Sequence, residues 1–205
     1  MSGDSTNVGP VLSGALAPAL DSGACPHVAV LLRSEEEFTP VVASFYTLGV
    51  KRGGWLVHRS IEPERDREAL AGAGLDVPGL EADRRLALEE IRRSEPPEQL
   101  PRRLDAAFDD ALTRGLSALW SSHTPVRADS DSFEHAMKVE HAWEQHFRDR
   151  PVVTLCPYVV GGLDAPTALG RLSDLGAGHH DGVLVPSGGG LELFKPARAD
   201  DDPGP

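Results

Sequence analysis

The sequence has few of the features that direct a chain to a membrane or to an oxidising compartment. Its 205 residues include only two cysteines, Cys25 and Cys156, whereas small secreted domains that depend on disulfides carry more cysteines at denser spacing. No apolar run approaches the ~20 residues that span a bilayer, and no charged segment followed by an apolar one opens the chain. We therefore expect a cytoplasmic protein with two reduced thiols.

Basic residues are also scarce. Lysine and arginine number 20 against 32 aspartates and glutamates, which gives a formal net charge of −12. This charge disfavours non-specific binding to nucleic acid and to anionic membrane surfaces. The hydrophobic content of 40% is ordinary for a globular protein. We therefore predict one sizeable domain with neither nucleic acid nor membrane as a partner.

A phosphate-binding loop is missing where the sequence pattern would place one. The stretch HVAVLLRSEEEF, residues 27–38, has the outline of a buried strand, a turn and a helix. Nucleotide-binding loops of this kind use glycines, a lysine and a serine or threonine, but here Arg33 and Ser34 are followed by three glutamates. Those carboxylates favour the helix dipole, and each would repel a phosphate by about 1–4 kcal/mol at ~4 Å. The pattern indicates either a solvated helix start or carboxylates at the rim of a site for another ligand.

Motifs for catalysis or for a prosthetic group are weak or missing. No HExxH pattern and no ordered Ser-His-Asp or Cys-His-Asn set emerges. The two Cys-Pro dipeptides and the loop GHHDG at 178–182 are weak signals for haem or metal. The sequence therefore predicts a protein that is not an enzyme and carries no haem or metal.

The chain divides into a folded unit and two terminal segments. Residues 1–26 are rich in small residues and predict a flexible leader, with at most a short helical turn. The folded unit is predicted over 27–196, and an unstructured acidic tail over 197–205. Within the unit, strands are predicted at 27–32, 55–60, 84–91, 116–123 and 151–160, and helices at 34–52, 62–74, 97–115, 130–149 and 165–176. The segment 84–91 is ambiguous between a short strand and a short helix, and the strand is favoured.

The alternation of strands and helices predicts the fold class. Apolar strands that alternate with helices indicate a mostly parallel sheet covered on both faces. The last stretch, 182–196, predicts an antiparallel hairpin at one edge. We therefore expect a three-layer α/β/α sandwich. Pro40 lies within the predicted helix at 34–52, and we expect it to kink that helix because a backbone donor is missing there.

Two side chains are candidates for a binding site before any family is considered. His123 lies at a strand end, where ligand sites of open α/β sheets gather. Cys156 lies in the most apolar strand, where a small buried hydrophobic residue is the ordinary interpretation.

Several stretches in order resemble the MEDS sensory domain, the methanogen and methylotroph sensor family. The resemblance covers roughly residues 27–175. It is carried by HVAVLLRSEEEF, the GVKRGG that enters the second strand, LTRGLSALW, KVEHAW and VVTLCPYV.

This resemblance implies a fold similar to RecA and the circadian-clock ATPases, with the phosphate loop missing. It implies a sensory function, since family members act within or beside signalling proteins and some are thought to respond to small hydrocarbon derivatives. Glu140 matches the family's glutamate in the fourth long helix, and Cys156 and Tyr158 match its cysteine and tyrosine. The acid that follows the family's tyrosine is replaced here, and SSHTPVRA stands where the family has a Glu-Met segment.

Two functional hypotheses follow, and a third, an enzyme that acts on a small metabolite through His123 and Glu140, is disfavoured because no tight catalytic constellation emerges. The first is a non-enzymatic sensory domain that binds a small molecule at the carboxyl ends of the strands and signals through a partner protein. The second is a protein-interaction module that keeps a vestigial ATPase fold without a ligand. For the first hypothesis, the candidate ligand-binding residues are Arg33, Glu36, His123, Glu140, Cys156 and Tyr158.

Overall fold

The computed structural model describes residues 8–92, 95–130, 132–162, 170, 181–187 and 190–194. Strands and helices alternate through most of the chain. In order, the elements are α1 (Val8–Asp21), β1 (His27–Leu32), a 3₁₀ turn (Glu35–Glu37), α2 (Phe38–Lys51), β2 (Trp55–Ser60), α3 (Pro63–Gly72), α4 (Val77–Ala82), β3 (Leu86–Glu90), α5 (Gln99–Thr113), β4 (Leu119–His123), β5 (Val126–Arg127), α6 (Ser132–Phe147), β6 (Val152–Val159), β7 (Gly182–Ser187) and β8 (Gly190–Phe194).

The strands form a single mixed sheet. Its order is β3-β2-β4-β6-β1-β7-β8, with β5 paired to β6. All pairs are parallel except β7 and β8, which form the antiparallel hairpin at one edge. The predicted α/β class, the mostly parallel sheet and the edge hairpin are therefore confirmed.

Helices cover both faces of the sheet because alternate residues of each buried strand point to opposite sides. One face packs against α1, α2, α3 and α4 in a core that includes Val30, Phe45 and Trp120. The other face packs against α5 and α6 in cores that include Phe108 and Phe133. No described helix is both long and apolar enough to cross a membrane.

The leader segment differs from the sequence expectation. Residues 8–21 form α1, and its Leu12 and Leu16 are fully buried in the core beneath α2. The four-residue spacing of these two leucines places both on one face of the helix. The residues around these leucines are small, so the short apolar stripe was not recognised as a helix face in the sequence.

The start of α2 also differs from the expectation. The glutamates form a 3₁₀ turn, and the α-helix begins at Phe38. Pro40 thus lies in the first helical turn, where the backbone donors have no intrahelical acceptor in any case. At that position proline removes no intrahelical hydrogen bond, so the reason for expecting a kink is absent.

Most of the remaining elements match the prediction. The ambiguous segment 84–91 contains a strand, β3, as favoured, while the short α4 and β5 were not anticipated. Asp76 is the N-cap of α4, and its carboxylate accepts from the backbone N–H of Gly79. Apart from Gly170, the predicted helix at 165–176 lies outside the described residues, as do the histidines of the GHHDG loop.

Candidate functional site

A buried polar cluster lies between the sheet and α6. Strand register assembles it, because β2 and β4 pair Arg59 with His123, and β6 and β1 pair Cys156 with Ala29. These side chains share the face that α6 covers. Ser121 of β4 and His27 of β1 lie on the same face, each two residues before the cluster residue or its partner on that strand.

Glu140 of α6 lies at the centre of this cluster and is 2% exposed. Its Oε2 lies 3.0 Å from His27 Nε2 and 2.9 Å from Cys156 Sγ. Its Oε1 lies 3.2 Å from His123 Nε2 and 3.6 Å from Arg59 Nη2. Both carboxylate oxygens therefore contact the cluster, which is named below the Glu140 cluster and comprises Arg59, His123, Glu140, Cys156 and His27.

Helical spacing aims Glu140 at the sheet. Phe133, Glu140, Trp143 and Phe147 are the buried residues of α6, and their spacing of seven, three and four places them on one helix face. A carboxylate thus occupies a position where an amphipathic helix normally has an apolar side chain.

The cluster keeps Glu140 ionised although it is buried. Burial alone would raise the pKa of this carboxyl, but the charge of Arg59 and the contacts with His123 and His27 outweigh it and hold the pKa well below its usual value. Burial and the charge of Glu140 raise the pKa of the Cys156 thiol well above its usual value, although Arg59 partly opposes them. Near neutral pH, a protonated thiol therefore donates to an ionised carboxylate.

Arg59 is buried with unused hydrogen-bonding capacity. Its side chain is 1% exposed, and its guanidinium carbon lies 4.1 Å from the centre of the Trp143 ring. Neither Nε nor Nη2 of Arg59 has a hydrogen-bond partner among the described residues. Burial of an unsatisfied donor costs about 1–3 kcal/mol, and more for a charged group.

Two neighbours of Arg59 on β4 share this property. Ser121 Oγ and His123 Nε2, which face the cluster, are buried and make no aligned hydrogen bond to any described residue; Ser122 Oγ, on the opposite face of the strand, is likewise buried without one. His123 Nε2 lies close to Glu140 but outside hydrogen-bond geometry, while its Nδ1 contacts the carbonyl oxygen of Thr124 at 2.7 Å. The Arg59 side of the cluster therefore presents several polar groups with capacity for a further partner.

A second polar network lies on the opposite face of β2. Asp66 Oδ2 lies 3.0 Å from His58 Nε2 and accepts from Ser60 Oγ at 2.6 Å. The hydroxyl of Tyr46 completes the network. It donates to the Val57 carbonyl oxygen over 2.9 Å and lies 3.1 Å from His58 Nδ1. Burial lowers the pKa of His58, although the bond and charge of Asp66 oppose it. This network ties β2 to α2 and α3.

The structure brings four of the six candidate ligand-binding residues together. Glu140 contacts His123 and Cys156 as described above, and the ring of Tyr158 lies edge-on to His123 with 6.3 Å between ring centres. Arg33 and Glu36 instead lie on the exposed turn after β1, where Arg33 pairs with Glu37.

Two members of the cluster were missed by sequence reasoning, His27 and Arg59. Each lies in a strand that is otherwise mostly apolar, HVAVLL and WLVHRS. A charged or titratable residue within a fully buried strand requires a partner, and that signal was available in the sequence. The identity of the partner was not, because Glu140 lies 113 residues from His27.

The comparison with family models agrees with the resemblance of the sequence. A comparison with curated proteins found no match. The model of the MEDS family, the methanogen/methylotroph, DcmR sensory domain, matches residues 26–172. This range covers well over half of the chain and includes every member of the Glu140 cluster. The chain belongs to the MEDS family of sensory domains.

Proposed function

We propose that this sensory domain binds a small molecule with oxygen acceptors on the Arg59 side of the Glu140 cluster and passes its bound state to a partner protein. The observation that carries the proposal is the buried guanidinium of Arg59, whose Nε and Nη2 have no hydrogen-bond partner among the described residues. Buried polar groups in native proteins are almost always satisfied by protein, water or ligand. A bound acceptor would remove the cost of leaving these donors without a hydrogen bond.

The chemistry of the surroundings limits the ligand class. A guanidinium presents a rigid fork of donors that suits carboxylate and other planar oxygen groups, and Ser121 Oγ adds one hydroxyl nearby. Trp143, whose ring lies under the Arg59 guanidinium, and Tyr158, edge-on to His123, supply aromatic surface beside these polar groups. The arrangement favours a small ligand that joins an oxygen-bearing head to a short apolar body.

Helix α6 is the element through which binding would be reported. It carries Glu140 and Trp143 on its buried face, so a ligand that recruits Arg59 changes the contacts of both. Its opposite face exposes Glu134, Lys138, His141 and Gln145 to solvent. A partner that binds this outer face would detect a shift of the helix, because packed helices move as units.

The test compares two serines that are adjacent in β4 but point to opposite sides of the sheet. Ser121 faces the Glu140 cluster and Ser122 faces the other core, and both are fully buried. Native mass spectrometry of protein purified without added ligand would report a retained mass. Thermal denaturation with formate, acetate and propionate would report stabilisation by a defined probe.

We expect Ser121→Ala to reduce both signals and Ser122→Ala to keep them. Loss of one hydrogen bond at a buried site corresponds to a reduction in affinity of about tenfold. Equal behaviour of the two variants would contradict the placement of the ligand. A wild-type protein with no retained mass and no stabilisation by any probe would favour the interaction module without a ligand.

A further inference from the structure

We propose that His27, Glu140 and Cys156 form a binding site for one divalent transition-metal ion, with zinc the best fit. The three ligand atoms are His27 Nε2, Glu140 Oε2 and Cys156 Sγ, and they lie within 4.8 Å of one another. Their separations are 3.0 Å, 3.1 Å and 2.9 Å, so they form a nearly equilateral triangle. This site goes beyond the proposed small-molecule function, with which it shares Glu140.

The triangle is close to the size that a tetrahedral zinc ion requires. Zinc binds nitrogen and oxygen at about 2.0–2.2 Å and sulfur at about 2.3 Å, which separates neighbouring ligand atoms by about 3.3–3.6 Å. The three atoms therefore need to move apart by about half an ångström. Rotation of three side chains that arise from three different elements can supply this movement without a change in the backbone.

The backbone around the ligands is held firmly. His27 N donates to Asp181 Oδ2 at 2.9 Å, and Asp181 N donates to the His27 carbonyl at 2.7 Å. Cys156 lies on β6, directly beside β1 in the parallel sheet. A site built on paired strands keeps its ligands within the tolerance that metal coordination demands.

The second oxygen of Glu140 faces two other polar groups at ion-pair distance. His123 Nε2 and Arg59 Nη2 lie on the side of Oε1, which leaves Oε2 directed at His27 and Cys156. Partners of this kind, which orient a metal-binding carboxylate, are typical of metal sites. His123 is itself oriented by the contact of its Nδ1 with the carbonyl of Thr124.

The ligand types select the ion. Imidazole and thiolate favour zinc and related transition metals, whereas magnesium and calcium prefer oxygen ligands alone. Binding replaces the thiol proton, since Cys156–SH and Zn²⁺ give Cys156–S–Zn and one released proton. The thiolate and the Glu140 carboxylate then balance the two charges of the ion.

Three protein ligands leave one position of a tetrahedron for a further group. Because Arg59 adds a positive charge beside the ion, that position would favour water, hydroxide or an anionic oxygen ligand. The metal and Arg59 would then contact the same small molecule from two sides. The sequence expectation of no metal arose because residues 27, 140 and 156 form no local motif.

The experiment uses the untagged full chain, freed of metal by a chelator, with zinc and cobalt salts as probes. We expect one equivalent of zinc per chain, no competition by magnesium, and a thiolate-to-metal charge-transfer band with cobalt. Cys156→Ser should abolish the band and weaken zinc binding by more than the ~10–100-fold that a change outside the ligand set costs. Cys25→Ser is the matched control and should keep both signals, because Cys25 packs against the core on the other face of the sheet.

The wild type and the control decide the question even where Cys156→Ser fails to fold. With only two cysteines in the chain, a cobalt band that persists in Cys25→Ser assigns the thiolate to Cys156. A wild type without stoichiometric zinc, a cobalt complex without the band, or a band lost in Cys25→Ser would overturn the metal site. None of these results bears on the Ser121 and Ser122 comparison, so the metal and the small-molecule ligand can fail separately.

Discussion

Cys156 and Glu140 meet in the interior of the protein, where the thiol donates to Oε2 of the carboxylate over 2.9 Å. Both side chains are almost completely buried. The charge of Glu140 is stabilised by Arg59 and two histidines, and in turn it raises the pKa of the thiol. The carboxyl is thus ionised and the thiol protonated near neutral pH, and removal of one member of the cluster affects the others.

Glu140→Gln should destabilise the protein strongly. The amide keeps the shape of the side chain but leaves the buried Arg59 without a counter-charge, and loss of one partner of a buried ion pair costs about 3–5 kcal/mol. Urea denaturation measures the free energy of unfolding. The control is Glu134→Gln, because Glu134 lies on the exposed face of α6. This substitution should change the free energy of unfolding by less than about 0.5 kcal/mol. Similar values for the two variants would show that the charge of Glu140 does not hold the cluster together.

His58 should make stability depend on pH just below neutrality. Burial lowers its pKa, opposed by Asp66 and assisted by His123 and Arg59. The unfolded chain takes up a proton near pH 6.5 while the folded protein does not, so stability is complete above about 6.5 and falls as the pH decreases, by up to ~1.4 kcal/mol per pH unit. His58→Gln cannot take up this proton, so its unfolding free energy should depend less on pH between about 5 and 7. An unchanged slope in urea titrations would contradict this role.

Gly54→Ala should destabilise the start of β2. A Cβ at Gly54 would overlap the indole of Trp120, which is 2% exposed and cannot move aside. Overpacking of this kind costs about 1–3 kcal/mol. Gly72→Ala is the control, because no atom lies within 4 Å of its Cβ position and its position at the end of α3 is exposed. It should be neutral or stabilise by up to about 1 kcal/mol, and an equal loss in thermal denaturation of both variants would refute the steric argument.

Leu16→Ala should show that α1 is part of the folded domain. The side chain is fully buried beneath α2, and truncation of a buried leucine costs about 2–5 kcal/mol. The control is Gly14→Ala. Gly14 lies on the exposed side of the same helix, and no atom lies within 4 Å of the position that a Cβ would take. This substitution should stabilise the helix by about 0.5–1 kcal/mol. If instead Leu16→Ala leaves the denaturation midpoint unchanged, α1 does not dock in solution.

The fold was largely predictable because its information is local. The apolar runs of β1, β2, β4 and β6, the helical spacing in α2, α5 and α6, and the glycines at the helix ends are each contained in a short window. Gly115, for example, follows the end of α5 and adopts a positive φ of 89°. Three elements were missed. Helix α4 and strand β5 are too short to show a period, and α1 has only Leu12 and Leu16 as an apolar stripe among small residues.

The candidate site was only partly predictable. His123, Glu140, Cys156 and Tyr158 could be named from a strand end and from the resemblance to the family, but Arg33 and Glu36 were placed with them on sequence position alone. The turn that follows β1 is exposed, so Arg33 and Glu36 lie at the surface and not beneath α6. His27 lies at the opposite end of the same strand and enters the cluster because β1 and β6 are neighbours in the sheet.

The sequence by itself determined the alternation of strands and helices, the acidic charge, the missing phosphate loop and the kinship with a sensory family. Only the tertiary structure decided that Arg59, Glu140 and Cys156 share one buried face, and that His27 completes a set of potential metal ligands with the last two. The reason is physical. Periodicity records which side of its own element a residue faces, whereas the chemistry of the Glu140 cluster depends on strand order and register, which bring together residues more than a hundred positions apart.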